Sequence, residues 1–264
     1  MVLALLFLKA IMHVSQIFIS DNNETMPKFL KRSTNSVKKH FCRCKYKIYN
    51  DKDLRNFIGN HYQEEVLWAY DSLNPYSYKS DLGRFCLLYI LGGWYFDIGT
   101  TSITSLNVNK EIDMICFRDE QRHSLTSWAV NGAVIYSKPA NVIFKKSIEA
   151  IVNNCKERWY GRTPLCPTGP SLFGEHIAKE NRGMNIVIGD LVRPMIPFTR
   201  KNFPFLKHII RAKYILPNGK ALALVKPASG GNLKSLGVKG SNNYNDFWKK
   251  RNVYKDINLE IKVK

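Results

Sequence analysis

Short apolar runs, separated by polar and turn-forming clusters, set the layout of this chain. Residues 10–20 read as a first core strand, closed by the turn cluster Ser20-Asp21-Asn22-Asn23. Pro27 opens a basic helix to about His40, with Phe29, Leu30 and Val37 as its modest apolar face. Residues 45–49 alternate as a second strand does, and Asn50-Asp51 turns the chain. Asp51 or Asp53 is placed to cap a helix holding Leu54, Phe57 and Ile58. A further helix covers residues 63–71, and Asn74-Pro75 marks a boundary. Beyond it, residues 112–117 and 129–136 read as strands. Residues 139–155 form an amphipathic helix that buries Val142, Ile143, Ile148, Ile151 and Val152. A helix over 171–179 and a strand over 186–188 follow. Pro194, Pro197 and Pro204 then indicate an extended basic loop region. Residues 214–216 and 221–225 flank Pro217-Asn218-Gly219, a hairpin-type turn. Residues 244–254 are aromatic and basic, and no repeat or interior linker divides the chain.

Residues 80–101 carry the densest chemistry. Asp81 and Arg84 lie three residues apart, so on a helix they share a face and can address one ligand. Phe85, Leu87, Leu88, Ile90 and Leu91 are too apolar for an exposed segment. Gly92-Gly93 breaks this short helix, and Trp94, Tyr95 and Phe96 favour a buried strand. That strand delivers Asp97 at its carboxyl end, where open α/β sheets bind ligands.

Ser80, Asp81, Arg84, Gly92, Gly93, Tyr95 and Asp97 fall in the register of the DXD-motif sugar transferases, which this stretch resembles. That group includes initiating α-1,6-mannosyltransferases, capsule-synthesis transferases and glucosylating toxins. The second acid of the motif is absent, and Gly99 stands in its place. Ser15-Gln16-Ile17-Phe18 occupies the place of the family's first strand, and Thr168-Gly169-Pro170 matches a later helix opening near the acceptor pocket.

The resemblance implies an α/β glycosyltransferase A (nucleotide-diphospho-sugar transferase) fold, a mixed, mainly parallel sheet flanked by helices. It implies one domain over 1–264, with 10–130 as the nucleotide-sugar half and 131–264 as the acceptor-side half with a C-terminal loop. Asp97 would contact the ribose and the metal, and Tyr95 would line the nucleotide. Asp81 and Arg84 would engage donor sugar hydroxyls and phosphate, with Ser80 beside them. Phe18 is placed to stack on a base or to pack as core, and Asn131 either faces the acceptor or forms a turn with Gly132. Divalent Mn²⁺ or Mg²⁺ would neutralise the leaving diphosphate. With Gly99 in the motif, three outcomes are open. The metal binds through Asp97 with Asn242 and Asn243 of the 240–245 loop, where Ser241 and the substrate-side Trp248 match the segment that closes over the donor; cationic side chains replace it; or catalysis is weakened. The first is the favoured expectation.

Composition sharpens the choice of partner. Forty Lys and Arg against 21 Asp and Glu leave a formal charge of +19, concentrated in residues 28–55 and 193–264. Such a balance favours anionic partners. A UDP- or GDP-sugar donor and a glycan or lipid-linked acceptor, met by a cytoplasmic enzyme peripheral at the inner face of the plasma membrane, account for it without nucleic acid. Residues 1–8 are apolar but lead into Lys9 and His13, too short a run for a span. Six cysteines without paired spacing read as free thiols, with Cys86 and Cys116 buried. The six histidines are scattered, and no P-loop, nucleophile elbow or Rossmann fingerprint is present. A retaining, metal-assisted hexosyltransferase is therefore the leading expectation. A non-catalytic glycan- or nucleic-acid-binding protein on a degenerate transferase fold is the alternative.

Overall fold

Nine strands form one sheet in the computed structural model, which describes residues 12–21, 24–120, 125–193, 211–228 and 231–257. They are β1 (His13–Ile17), β2 (Lys45–Tyr49), β3 (Gly93–Phe96), β4 (Thr101–Ser102), β5 (Met114–Arg118), β6 (Val130–Ser137), β7 (Ile186–Val192), β8 (Lys213–Ile215) and β9 (Ala221–Leu224). Their spatial order is β2-β1-β3-β6-β5-β7-β8-β9-β4. The parallel ladders are β1–β2, β1–β3 and β5–β7. The remaining ladders are antiparallel, so the sheet is mixed and its β7-β8-β9-β4 edge is a meander.

Helices cover the sheet: α1 (Lys28–His40), α2 (Asp51–His61), α3 (Glu64–Ser72), α4 (Tyr76–Leu91), α5 (Val142–Lys156), α6 (Pro170–Glu180) and α7 (Tyr244–Lys249). Because both faces are covered, β3 is buried at every position and shows no polar alternation. Its side chains divide instead between two cores. Tyr95 joins the cluster under α4, α5 and α6, whereas Trp94 and Phe96 join the opposite cluster with Val37 and Phe41 at the end of α1. Phe41 meets Trp94 at 5.5 Å and Phe96 at 5.2 Å between ring centres, pairs each adding about 0.5–1.5 kcal/mol beyond area burial.

Element boundaries follow the sequence pattern closely, with three instructive departures. Helix α4 is not short: it runs 16 residues through the whole apolar segment and is buried nearly all round. Helix α2 is capped by Asn50, whose side chain accepts from the Asp53 amide at 2.8 Å, while Asp53 returns the bond to the Asn50 amide. Asn131-Gly132 lies inside β6 rather than in a turn. The expected turn at Gly219 forms, joining β8 to β9. All six cysteines are free, and Cys86, Cys116 and Cys155 are buried. The apolar residues 1–8 and the proline-rich loop at 194–204 lie outside the described residues; among the described residues no helix is long and apolar enough to cross a membrane.

Candidate active site

A cavity of about 410 Å³ opens where β1, β3, β5 and β7 end, the edge of the sheet at which its parallel strands present their carboxyl ends. Ile17 ends β1 and Ile19 follows it, Asp97 follows β3, Asp119 and Glu120 follow β5, and Leu191 and Arg193 close β7. Helix α4 contributes Tyr76, Ser80, Asp81 and Arg84 from the side, and Ser241, Tyr244 and Asn245 cover it from the C-terminal segment.

Arg84 organises the floor. Its Nη2 lies 3.0 Å from Asp81 Oδ1 and 3.2 Å from Asp97 Oδ1, and its guanidinium carbon sits 4.8 Å from the centre of the Tyr95 ring. The Tyr95 hydroxyl donates to Asp97 Oδ1 at 2.9 Å, and Lys226 Nζ donates to Asp97 Oδ2 at 3.3 Å. The Thr168 hydroxyl, from the loop that opens α6, donates to Asp81 Oδ2 at 2.7 Å. On the β6 side, Asn131 bonds Asp119 through its amide nitrogen and accepts from Tyr214 through its oxygen.

The two carboxylates are thereby set apart electrostatically. Burial pushes Asp81 up to about 6, because half a guanidinium and one hydroxyl do not offset its desolvation. Asp97 is equally desolvated, but Arg84, Lys226 and the Tyr95 hydroxyl outweigh that penalty and hold it below the ordinary carboxylate value. One acid is held firmly ionised, and its neighbour titrates within reach of neutral pH.

Gly132 makes the arrangement possible, since a Cβ there would overlap Arg84 Nη1. Substituting Gly132→Ala is expected to push the guanidinium off its two carboxylates. Transfer should fall by at least about tenfold, the effect of an ångström-scale misplacement, while the thermal unfolding midpoint moves by only a few degrees. An alanine variant with wild-type turnover would show that Arg84 does not need this seat.

Seven of the residues expected at the site from sequence converge on this cavity: Ser80, Asp81, Arg84, Tyr95, Asp97, Asn131 and Ser241. Four others do not line it. Phe18 packs against the small cluster of Leu30, Ile98, Leu233, Leu236 and Val238. Trp248 donates its indole N–H to the Tyr160 carbonyl at 2.8 Å and rests on the main core. Asn242 ties Tyr76 N–H to the Asn74 carbonyl, and Asn243 caps α7. The loop side chains that line the cavity are Ser241, which the sequence pointed to, with Tyr244 and Asn245. Lys226, Thr100 and Tyr214 line it too, and sequence reasoning did not single them out. Lys226 is one lysine in a basic region, with no local signal to distinguish it. Thr168 was assigned to the acceptor pocket; its hydroxyl reaches Asp81.

The resemblance to DXD-motif glycosyltransferases implies a divalent metal held by the acids of the motif. Among the described residues no cluster of three His, Cys, Asp or Glu side chains is arranged to hold an ion. Asp97 is the one acid of the motif, and both its oxygens are already engaged by Arg84, Tyr95 and Lys226. Asn242 and Asn243 spend their side chains on backbone groups elsewhere. Gly99 has φ of +86°, and a Cβ there would press on Lys226 Cβ at 3.2 Å. The residues present do not fit a divalent cation.

Residues 27–118, from α1 through β5, match the family model of the glycosyltransferase sugar-binding region containing the DXD motif. Over 198 residues the chain is 24% identical to an uncharacterised glycosyltransferase, L373, of Acanthamoeba polyphaga mimivirus, covering 73% of this chain and 76% of the relative. Among solved structures, the PaToxG glycosyltransferase aligns over 65% of this chain and 69% of its own at 20% identity, with a TM-score of 0.49. A glycosyltransferase involved in glycosylation of the major capsid of PBCV-1 aligns over 68% of this chain and 82% of its own at 10% identity, with a TM-score of 0.35. With the motif residues Ser80, Asp81, Arg84, Tyr95 and Asp97 inside the matched segment and gathered at one cavity, residues 27–118 of the chain resemble the sugar-binding region of the DXD-motif glycosyltransferases.

Proposed function

We propose that the cavity binds a nucleoside-diphosphate sugar, UDP- or GDP-linked, and transfers its hexose to a hydroxyl of a glycan or lipid-linked oligosaccharide. The observation that carries this reading is the Asp81–Arg84–Asp97 cluster on the cavity floor. In the step, the bond between the sugar C1 and the diphosphate oxygen breaks, and its electron pair leaves on the diphosphate. The acceptor oxygen bonds C1, and its proton ends on the departing diphosphate. Asp97, held ionised, accepts hydrogen bonds from ribose or sugar hydroxyls, while Arg84 holds both carboxylates in place. Retention at C1 is what the resembled families imply. The Lys and Arg excess supports an acceptor that is anionic or carried on an anionic membrane face.

A panel of UDP- and GDP-sugars, each tested for binding by calorimetry and for turnover with lipid-linked or free oligosaccharides, examines the reading. One donor should bind and lose its sugar. If no sugar nucleotide binds, the transferase reading fails.

The carboxylate contrast yields a pH prediction. As Asp81 ionises, kcat/KM for the donor should rise with pH through about 6. Asp81→Asn should be slower and should lack this acid limb. For stability the sign is opposite: a carboxyl whose folded pKa exceeds its unfolded one favours folding at low pH. That contribution is lost as pH rises from about 4 to about 6. An unchanged limb in Asp81→Asn would assign it to another group.

A further inference from the structure

We propose that Lys226 supplies the positive charge on the donor diphosphate that a divalent ion supplies in other DXD-motif enzymes, so that this glycosyltransferase works without metal. The inference rests on the transferase reading above and concerns the same cavity.

Three observations meet at one point of the cavity wall. The first is the donor set: Asp97 is the one acid of the motif and its oxygens face Arg84, Tyr95 and Lys226, Asp81 is engaged by Arg84 and Thr168, and among the described residues no three His, Cys, Asp or Glu side chains converge to hold a cation. The second is the cation itself. Lys226 follows β9, lines the cavity, and keeps about a fifth of its side chain exposed with Nζ 3.3 Å from Asp97 Oδ2. An ammonium carries three donors, so contact with one carboxylate oxygen leaves two for phosphate oxygens. Arg84, in contrast, is 5% exposed and already shared between two carboxylates and the Tyr95 ring.

The third is an unanswered hydroxyl. Thr100 lines the same cavity, is 1% exposed, and its Oγ1 has no hydrogen-bond partner. A buried hydroxyl without a partner costs about 1–3 kcal/mol, a cost a bound phosphate oxygen would remove. Between Thr100 and Asp97 the chain passes Gly99, whose carbonyl accepts from Arg211 Nη2 at 3.1 Å while Arg211 Nη1 donates to Thr101 at 2.8 Å. The position that carries the second acid in relatives is therefore flanked by Lys226 on one side and by Arg211 on the other. When C1–O breaks, the electron pair arriving on the diphosphate is met by the Lys226 ammonium, a side chain four-fifths removed from solvent. There a fixed charge acts strongly and needs no reorganisation.

The test uses the full chain, the donor found to bind, and the matching nucleoside mono- and diphosphates, each in excess EDTA and in Mn²⁺. Wild type should bind the diphosphate and release it from the donor equally well in EDTA. Lys226→Ala should lower release by about 10²-fold or more and weaken the diphosphate while leaving the monophosphate unchanged. Lys226→Arg should recover part of the loss, and its folding is checked by thermal unfolding. Release that requires Mn²⁺ and stops in EDTA would overturn the inference and leave the transferase reading standing. Equal weakening of mono- and diphosphate by Lys226→Ala would also overturn it. Failure of every nucleotide to bind would remove both.

Discussion

Asp97→Asn is expected to lower sugar transfer by about 10²-fold or more, the scale seen when one preorganised electrostatic group is removed from an active site. The substitution keeps the size of the side chain and one acceptor oxygen for the Tyr95 hydroxyl, so the cavity keeps its shape. What is lost is the charge that balances Arg84 and Lys226. Arg84 stays buried with Asp81 as its single carboxylate partner, and breaking one arm of a buried pair costs about 3–5 kcal/mol. Lys226 suffers less, because it is partly exposed. A second reading of the same variant comes from pH. Asp97 has a lowered pKa in the folded protein, so its stabilisation exists above the unfolded value of 3.8 and disappears as pH falls through the folded one. The difference in thermal midpoint between wild type and Asp97→Asn should therefore be largest near neutrality and shrink below about pH 4. Wild-type kcat/KM in a folded Asp97→Asn protein would remove this residue from the reaction.

Gly93→Ala is expected to damage the fold severely. Gly93 begins β3 with φ of +81°, a region that L side chains rarely adopt, and a Cβ there would overlap the backbone carbonyl of His13. Backbone cannot rotate away as a side chain can. Either β3 separates from β1, losing the pairing of Val14 with Trp94 and of Ser15 with Tyr95, or the chain takes up strain of about 1–3 kcal/mol at this residue with further loss from the displaced core. Trp94, Tyr95 and Phe96 are all fully buried next to the shift. The unfolding free energy extrapolated from urea should fall by about 3 kcal/mol or more or the protein should fail to accumulate, and transfer should disappear with it, since β3 aims Asp97. A Gly93→Ala protein as stable as wild type would mean that the close approach to His13 is relieved in solution.

Much of this architecture was legible before any coordinates. Residues 45–49 alternate, and they are β2; Pro27 stops the preceding loop, and α1 starts at the next residue. The Ser80–Asp97 stretch could be read as helix, break and strand because helix-forming and strand-forming residues change over at two glycines. What was hidden at that level is equally specific. The two-residue β4 has too few positions to show a period and exists through its pairing with β9. Phe18 and Trp248 are aromatic beside the right segments, yet apolar packing in one case and an indole hydrogen bond in the other hold them out of the cavity. An aromatic ring is as suited to a core as to a base, and only the surrounding packing chooses.

Local sequence determined that Asp81 and Arg84 share a helical face and that Asp97 ends a buried strand, because both follow from the fixed periods of helix and strand and from two glycines that separate them. The motif also determined the enzyme class. Tertiary structure alone decided what surrounds Asp97. Lys226 arrives from 129 residues away in the sequence and Thr168 reaches Asp81 across 87. No period or spacing encodes such distances. The opposite pKa shifts of the two acids are set by charges and desolvation that exist only once the sheet edge, α4 and the α6 loop are packed together.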